Sequence, residues 1–157
     1  MEDIFKPGYG LPIGRVVLVQ GKVVIMHADM LRGYWAKKDL LLFKGDIIVT
    51  QKKGRIRLQL NDESIITMAS NTKMIINKSV YDRAKKSRFS FLRLTLGKAR
   101  FWVRKLGDLR RSEFKVKSPT AIVGVRGSGW IEEATKTYTK VTAEEDTKLD
   151  VWNPDIP

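Results

Sequence analysis

The chain contains no cysteine. Disulfides, thiolate metal clusters and a thiol nucleophile are therefore excluded, and the lack fits the cytosol and the periplasm equally well. There is a single histidine, His27, so neither a histidine metal cage nor a histidine pair is available. No apolar run approaches the ~20 residues that a bilayer-spanning helix requires. No basic-then-apolar leader opens the chain either, because Met1-Glu2-Asp3 is acidic and Pro7-Gly8 follows. Two readings remain: a cytosolic protein, or one whose signal peptide has been removed.

What is present is positive charge. Over 157 residues the formal net charge is +13, and the sequence pI is about 10.1. Between Lys78 and Lys117, 14 basic residues face 3 acidic ones, a net +11, whereas Glu132 to Pro157 carries a net −4. A cationic block of this kind suits an anionic partner: nucleic acid, acidic lipid, acidic glycan or an acidic protein surface. The alternative is a solvated charged face with no ligand.

The length suits one domain with a real core. Residues 1–12, with Pro7, Gly8, Gly10 and Pro12, read as a lead-in segment. Arg15–Gln20 and Lys22–His27 are β-rich runs predicted to form a tight hairpin about Gly21. Leu40–Phe43 is an apolar run too short to assign by period. Lys44-Gly45-Asp46 is a turn, and Ile47–Thr50 a strand. Arg55–Leu60 alternates cleanly, with Ile56, Leu58 and Leu60 inward. Asn61-Asp62 suits a two-residue turn, from which Ser64–Met68 returns, and Lys73–Asn77 is another short strand. Lys78–Ser90 reads as a mobile basic connection with room for a short helix. Phe91–Leu96 and Lys98–Arg104 alternate on either side of Gly97 as a second hairpin, and Phe114–Lys117 alternates after them. Tyr138–Thr142 and Thr147–Trp152 are candidate final strands. Short strands about every 8–12 residues indicate an all-β sandwich or roll of mainly antiparallel strands and hairpins, with a β-solenoid as the alternative. No strict repeat length supports the solenoid.

The segment Ser118 to Trp130 organises the reading. Gly124, Gly127 and Gly129 punctuate it, while Ile122, Val123 and Val125 are β-branched, and Pro119 marks a strand edge or bend. A backbone-clamping loop of the single-strand-RNA-binding kind joins two helices, and a phosphate loop leads from strand to helix. Neither context is present, so the glycines are read as tight β-packing. Pro119-Thr120-Ala121, two residues, then Gly124-Val125-Arg126-Gly127 resembles the signature of the FecR domain family. Ser128 stands where members usually carry Thr, and Trp130 is larger than expected. Lys44-Gly45-Asp46 before a strand ending in Thr, and the paired strands around Gly97, are similar to the family as well. The resemblance runs from about Gly14 to Ile131.

This resemblance implies one FecR-like β domain over residues 13–152. Related domains often continue with more sheet, so an early stop or trimmed end is expected. It also implies an extracytoplasmic, non-enzymatic signalling or binding module that meets a protein partner or an anionic envelope polymer, periplasmic after loss of a signal peptide. The alternative is a cytosolic nucleic-acid-binding protein using the 78–117 block.

Catalysis has little to stand on. His27 ends an apolar strand far from any distinctive serine, and Asp46, Asp62 and Glu63 fall in predicted turns, where acids bond local backbone. Glu132-Glu133 and Glu144-Glu145-Asp146 lack the ligand spacing of a calcium loop. No catalytic residue, metal ligand or cofactor is expected. The candidate ligand face is Lys98, Arg100, Trp102 and Arg104, on one side of their strand, extended by Arg93, Lys115 and Lys117. There an arginine over Trp102 would add a cation–π contact of ~0.5–2 kcal/mol. The competing reading has Trp102 packed under a loop with cation stems covering it. Pro119, Gly124, Arg126 and Gly127 are assigned to structure, with Arg126 bonding local carbonyls or carboxylates because an unpaired buried cation is costly.

Overall fold

The computed structural model describes residues 5–8, 10–29, 32–105, 110–125, 127–144 and 147–153. Arg126 therefore lies outside the described residues, and its expected structural bonding with it. The described chain is all-β: β1 (Gly14–Gln20), β2 (Val23–Met26), β3 (Gly33–Trp35), β4 (Leu41–Leu42), β5 (Ile47–Thr50), β6 (Arg55–Leu60), β7 (Ile65–Met68), β8 (Lys73–Asp82), β9 (Ser87–Val103), β10 (Arg111–Lys117), β11 (Ile122–Val125), β12 (Ser128–Ala134), β13 (Thr139–Ala143) and β14 (Asp150–Trp152). The strands form one curled sheet whose two halves close on a shared core. One half runs β3-β2-β5-β8-β9-β10-β11-β14 and the other β4-β1-β6-β7-β9-β12-β13. All pairings are antiparallel except β9 with β10, so the expected all-β roll is what forms.

Strand β9 is 17 residues long and belongs to both halves. Its N-terminal part pairs with β8, from Lys73 opposite Leu96 to Asp82 opposite Ser87. Its C-terminal part pairs with β7, from Met68 opposite Ala99 to Ile65 opposite Trp102. The predicted hairpin at Gly97 is thus corrected: Phe91–Leu96 and Lys98–Arg104 do not face each other but follow one another through a bend. Gly97 has φ +103, and a Cβ there would meet the Thr72 side chain and backbone. The hairpin predicted about Gly21 is corrected in the same way. β1 pairs with β4 and β6, while β2 pairs with β3 and β5. Gly21, with φ +66, turns the chain from one half into the other instead of folding it back. Residues 78–90 are not a mobile or helical connection either. They form the end of β8, a tight turn and the start of β9, with Lys86 at φ 52. Their apolar alternation is weak because this hairpin projects beyond the core, leaving Val80 and Phe89 48% and 37% exposed.

Of the segments that cross from one half to the other, those at Gly21, residues 51–54, residues 69–72 and Gly97 stack at their corners. Thr50 and Thr72 are buried there. The Thr50 hydroxyl donates to the Ala69 carbonyl (2.5 Å) and accepts from the Thr72 N–H (2.9 Å). The Thr72 hydroxyl accepts from the Lys98 N–H (3.0 Å) and donates to the Ser70 carbonyl (3.1 Å). Backbone groups that the bend removes from the ladder thus regain partners.

The glycine-spaced segment is extended over Ile122–Val125 and Ser128–Ala134, as expected. Ser118 and Pro119 lie in the turn between β10 and β11, closed by the Ser118 N–H to Ala121 carbonyl bond (2.8 Å). β11 belongs to one half and β12 to the other, so the chain crosses again between these two strands. A Cβ on Gly127 would sit 2.7 Å from Lys105 Cα, whereas on Gly124 it would make only ordinary contact, 3.5 Å, with the Trp152 ring. Ser128 adopts φ 134, a backbone region that a β-branched residue tolerates poorly, which accounts for serine in place of threonine. Trp130 is fully buried and stacks on Phe101 with centroids 5.0 Å apart. Burying such a ring contributes upward of ~2 kcal/mol.

Gly97→Ala should destabilise the fold by more than about 2 kcal/mol. Gly124→Ala, with room for its methyl, should stay within about 1 kcal/mol of the parent. Urea unfolding of the two variants checks this contrast, and equal losses would contradict the corner assignment.

Candidate functional site

Alternation along β9 places Ala99, Phe101 and Val103 in the core and Lys98, Arg100, Trp102 and Arg104 on the outside. The curl of the sheet then decides what those side chains meet. Arg100 Nε donates to Glu144 Oε1 at 2.7 Å. Arg104 forms an ion pair with Glu63, and its N–H donates to Ser64 Oγ at 3.2 Å. Trp102 is 44% exposed. Among the described residues the cation–π contacts are Lys22 over Trp35, Lys78 over Phe89 and Lys115 over Trp152, so the arginine–Trp102 stack does not form.

Arg93, Lys115 and Lys117 do not extend this face. They lie on the outer surface of the opposite half, where β9 and β10 run parallel and Lys117 sits beside Arg93. Lys115 Nζ lies 5.7 Å from the Trp152 ring and 4.0 Å from Glu113. The seven candidates therefore form two groups on either side of the core, not one patch.

What the sequence reading missed on the first face is Arg55 and Arg57. Both point outward from β6, and across β7 they face Lys98 and Arg100. Arg57 pairs in register with Thr67, and Thr67 with Arg100. Ala69 donates its N–H to the Lys98 carbonyl. Because Thr67 on β7 and Ala69 just after it are short side chains between two strands bearing long cations, the surface dips there into a trough of about 530 Å³. The outward alternation of Arg55 and Arg57 was legible, but their neighbours were not.

Among the described residues, Arg88, Asp62, Asp46 and Glu132 are buried charged groups and His27 is half-buried. Arg88, inside the supposedly solvated basic block, is 1% exposed. Its guanidinium donates to Asp62 (3.3 Å), to Ser112 Oγ (2.8 Å) and to the Arg104 carbonyl (2.5 Å). Burial draws its pKa below the ordinary guanidinium value, and Asp62 opposes that. Asp62 also accepts the Ser64 N–H at 2.9 Å, the local bonding expected of a turn acid. His27 has both ring nitrogens against acceptors: Nδ1 lies 2.8 Å from Asp46 Oδ1, and Nε2 2.5 Å from the Lys6 carbonyl. With Asp46 ionised, the imidazolium satisfies both. Burial works against the charge, but these bonds and the nearby Asp46 and Asp29 carboxylates outweigh it, so the ring's pKa is raised. Phe5, Tyr34 and Phe43 pack around the ring, and residues 5–8 are held there. Glu132 is fully buried on β12. Its Oε1 accepts the Trp130 indole N–H at 3.1 Å, while Oε2 has no partner among the described residues. Burial, opposed by that bond, raises its pKa to about 7. Among the described residues, no cluster of three or more potential metal-ligating side chains occurs.

The FecR protein family matches residues 46–147, well over half of the chain. The chain belongs to this family. No curated protein matches it. It is similar to a solved cell surface anchoring domain at 17% identity and a TM-score of 0.39, over 41% of this chain and 83% of that one. It is also similar to a candidate anti-sigma factor from Parabacteroides distasonis ATCC 8503. Two crystal structures of that protein align at 16% identity with TM-scores of 0.46 and 0.44, over 70% of this chain. The match covers 55% and 56% of those chains, so this chain spans little more than half the length of that protein. No helix among the described residues is long and apolar enough to cross a membrane.

Two titrations follow from the buried groups. The His27 contribution to stability is fully present below the free-histidine pKa of ~6.5 and is lost as pH rises through the raised folded value. In an NMR titration the Gly8 amide and the His27 ring should move together with one midpoint above 6.5. In His27→Gln the Gly8 amide should stay still, and a midpoint below 6.5 would contradict the imidazolium. Glu132 acts with the same sign: its favourable neutral form is lost as pH rises from 4.5 to about 7. Glu132→Gln should therefore be more stable than the parent at alkaline pH by up to about 3 kcal/mol, and should flatten the stability profile across that window. Unfolding curves at pH 5 and 8 measure both effects.

Proposed function

We propose that this chain is a non-enzymatic recognition and signalling module that works outside the cytoplasm, engaging a protein partner or an anionic envelope polymer through a basic sheet face. The observation that carries this reading is the FecR family match over residues 46–147, on a fold whose family segment is threaded through both halves of the sheet. The site chemistry supports recognition over turnover. The lone histidine is bonded to Asp46 and the Lys6 carbonyl, and the acids of the turns are occupied by backbone N–H groups or by Arg88.

The competing reading, a cytosolic nucleic-acid-binding protein, rests on the charge of residues 78–117. Several features weaken it. The block is divided between two opposite surfaces, Arg88 is interior, and Arg100 and Arg104 already hold carboxylates. Nucleic-acid affinity should fall steeply with salt, about tenfold or more for a doubling when several phosphates are contacted. The expected outcome is no saturable binding of single- or double-stranded DNA or RNA at about 0.1 M salt. In parallel, the natural gene product fused to alkaline phosphatase should be active in cells, because that reporter folds only outside the cytoplasm. An inactive phosphatase fusion together with tight nucleic-acid binding would transfer the chain to the competing class.

A further inference from the structure

The trough between β6 and β9 has a repeat that selects its occupant. Its two walls are strands: Arg55 and Arg57 stand two residues apart on one, Lys98 and Arg100 two residues apart on the other. Along each wall the cations recur about every 7 Å, and the walls are two strand spacings apart, roughly 9.6 Å. The floor is Thr67 and Ala69, both short. Leu18 and Ile131 form apolar outer margins, in register with Arg57 and Arg100 respectively. Arg55 and Lys98 have no acidic partner among the described residues, and Arg57 makes only a 3.4 Å bond to Thr67 Oγ1. Among the described residues, two acids stand near. Glu144 is held by Arg100 at 2.7 Å, and Glu133, in register with Lys98, accepts the Tyr138 hydroxyl at 3.1 Å. Glu144 shows that the rim takes a carboxylate, and three of the four cations remain to be matched.

An extended polypeptide lying along β7 has the same period as the walls. Its side chains alternate left and right, and those on one side recur about every 7 Å. A run with acidic residues would therefore offer carboxylates to both walls at the spacing the walls present. A phosphodiester strand carries its charges along one backbone and would leave a wall unmatched. Resting on the recognition reading above, we propose that this trough is the docking cleft for an extended acidic segment of a partner protein. The segment lies along β7, its carboxylates paired with Arg55 and Arg57 on one side and with Lys98 on the other, beside the Arg100–Glu144 pair.

The test uses the full chain and two ten-residue Glu/Thr peptides of identical composition, one with its three Glu consecutive, so that two lie about 7 Å apart on one side and one on the other, the other with Glu only at every third position. Binding is followed by chemical-shift mapping at low ionic strength, about 0.03 M, where screening is weak. The peptide with consecutive Glu should bind at one saturable site, shifting Thr67, Ala69 and the Trp102 indole. Arg55→Glu/Arg57→Glu should weaken it about tenfold or more. Arg93→Glu/Lys117→Glu, the same charge change on the opposite surface, should leave affinity within about twofold. Equal loss in both double variants, or equal binding of the peptide with spaced Glu, would overturn the proposal by showing attraction to net charge alone. No shift at Thr67 and Ala69 with either peptide, in a chain that also ignores oligo-dT and polygalacturonate, would sink the trough but leave the recognition reading standing. Tighter binding of oligo-dT than of peptide in the same trough would sink both, and tighter polygalacturonate would overturn the peptide in favour of a polymer.

Discussion

Everything in this protein depends on how the chain turns corners. Four extended segments each pass from one half of the sheet to the other at the same level, and a bend in a strand deprives backbone groups of ladder partners. Those groups are buried, so each unmet bond would cost on the order of 1–3 kcal/mol. The solution is a stack of glycines and threonines: Gly21 and Gly97 provide left-handed backbone, and the Thr50 and Thr72 hydroxyls bond the neighbouring segments. Because Gly97 packs directly on Thr72, the corners of successive segments are locked to one another. The register of both halves is set from there.

Once the corners are in place, inside and outside are settled for each strand. Trp130, Phe101 and Phe114 fill the centre, and the cations are sent to two outer surfaces. This partition changes the meaning of the net charge. A block that is contiguous in sequence becomes two separated basic faces and one interior arginine, Arg88, that ties the β6–β7 turn to β9 and β10 through Asp62 and Ser112. The face that gathers cations from two different stretches, Arg55 and Arg57 with Lys98 and Arg100, is the one with a shaped surface. Membership of the FecR family and that surface point in the same direction, toward recognition.

Much of this was legible beforehand where period-two alternation is strong. Ile47–Thr50 and Arg55–Leu60 form strands with those bounds, and the split of Ala99, Phe101 and Val103 from Lys98, Arg100, Trp102 and Arg104 follows from side chains alternating across a strand. The extended character of the segment through Gly124 followed from its β-branched residues. The errors cluster at glycines. A glycine between two β-rich runs is compatible with a hairpin turn and with a corner, because both require positive φ, and at Gly21 and Gly97 the corner is what forms. Residues 78–90 were misread because a hairpin that leaves the core no longer needs an apolar face. Arg88 was misread because nothing in a run of cations marks the one that meets a buried carboxylate.

The amino-acid sequence by itself determined the class of fold, the inward and outward faces of the longest strands, the family, and the absence of any thiol chemistry. These are properties of local residue pattern and composition, since alternation and side-chain type act within a few residues. Only the tertiary structure decided which strands are neighbours, and therefore which cations share a surface, which charge is buried and where the trough lies. Pairing between distant strands is set by the closing of one common core and by the stacking of its corners, and no short stretch of sequence contains either.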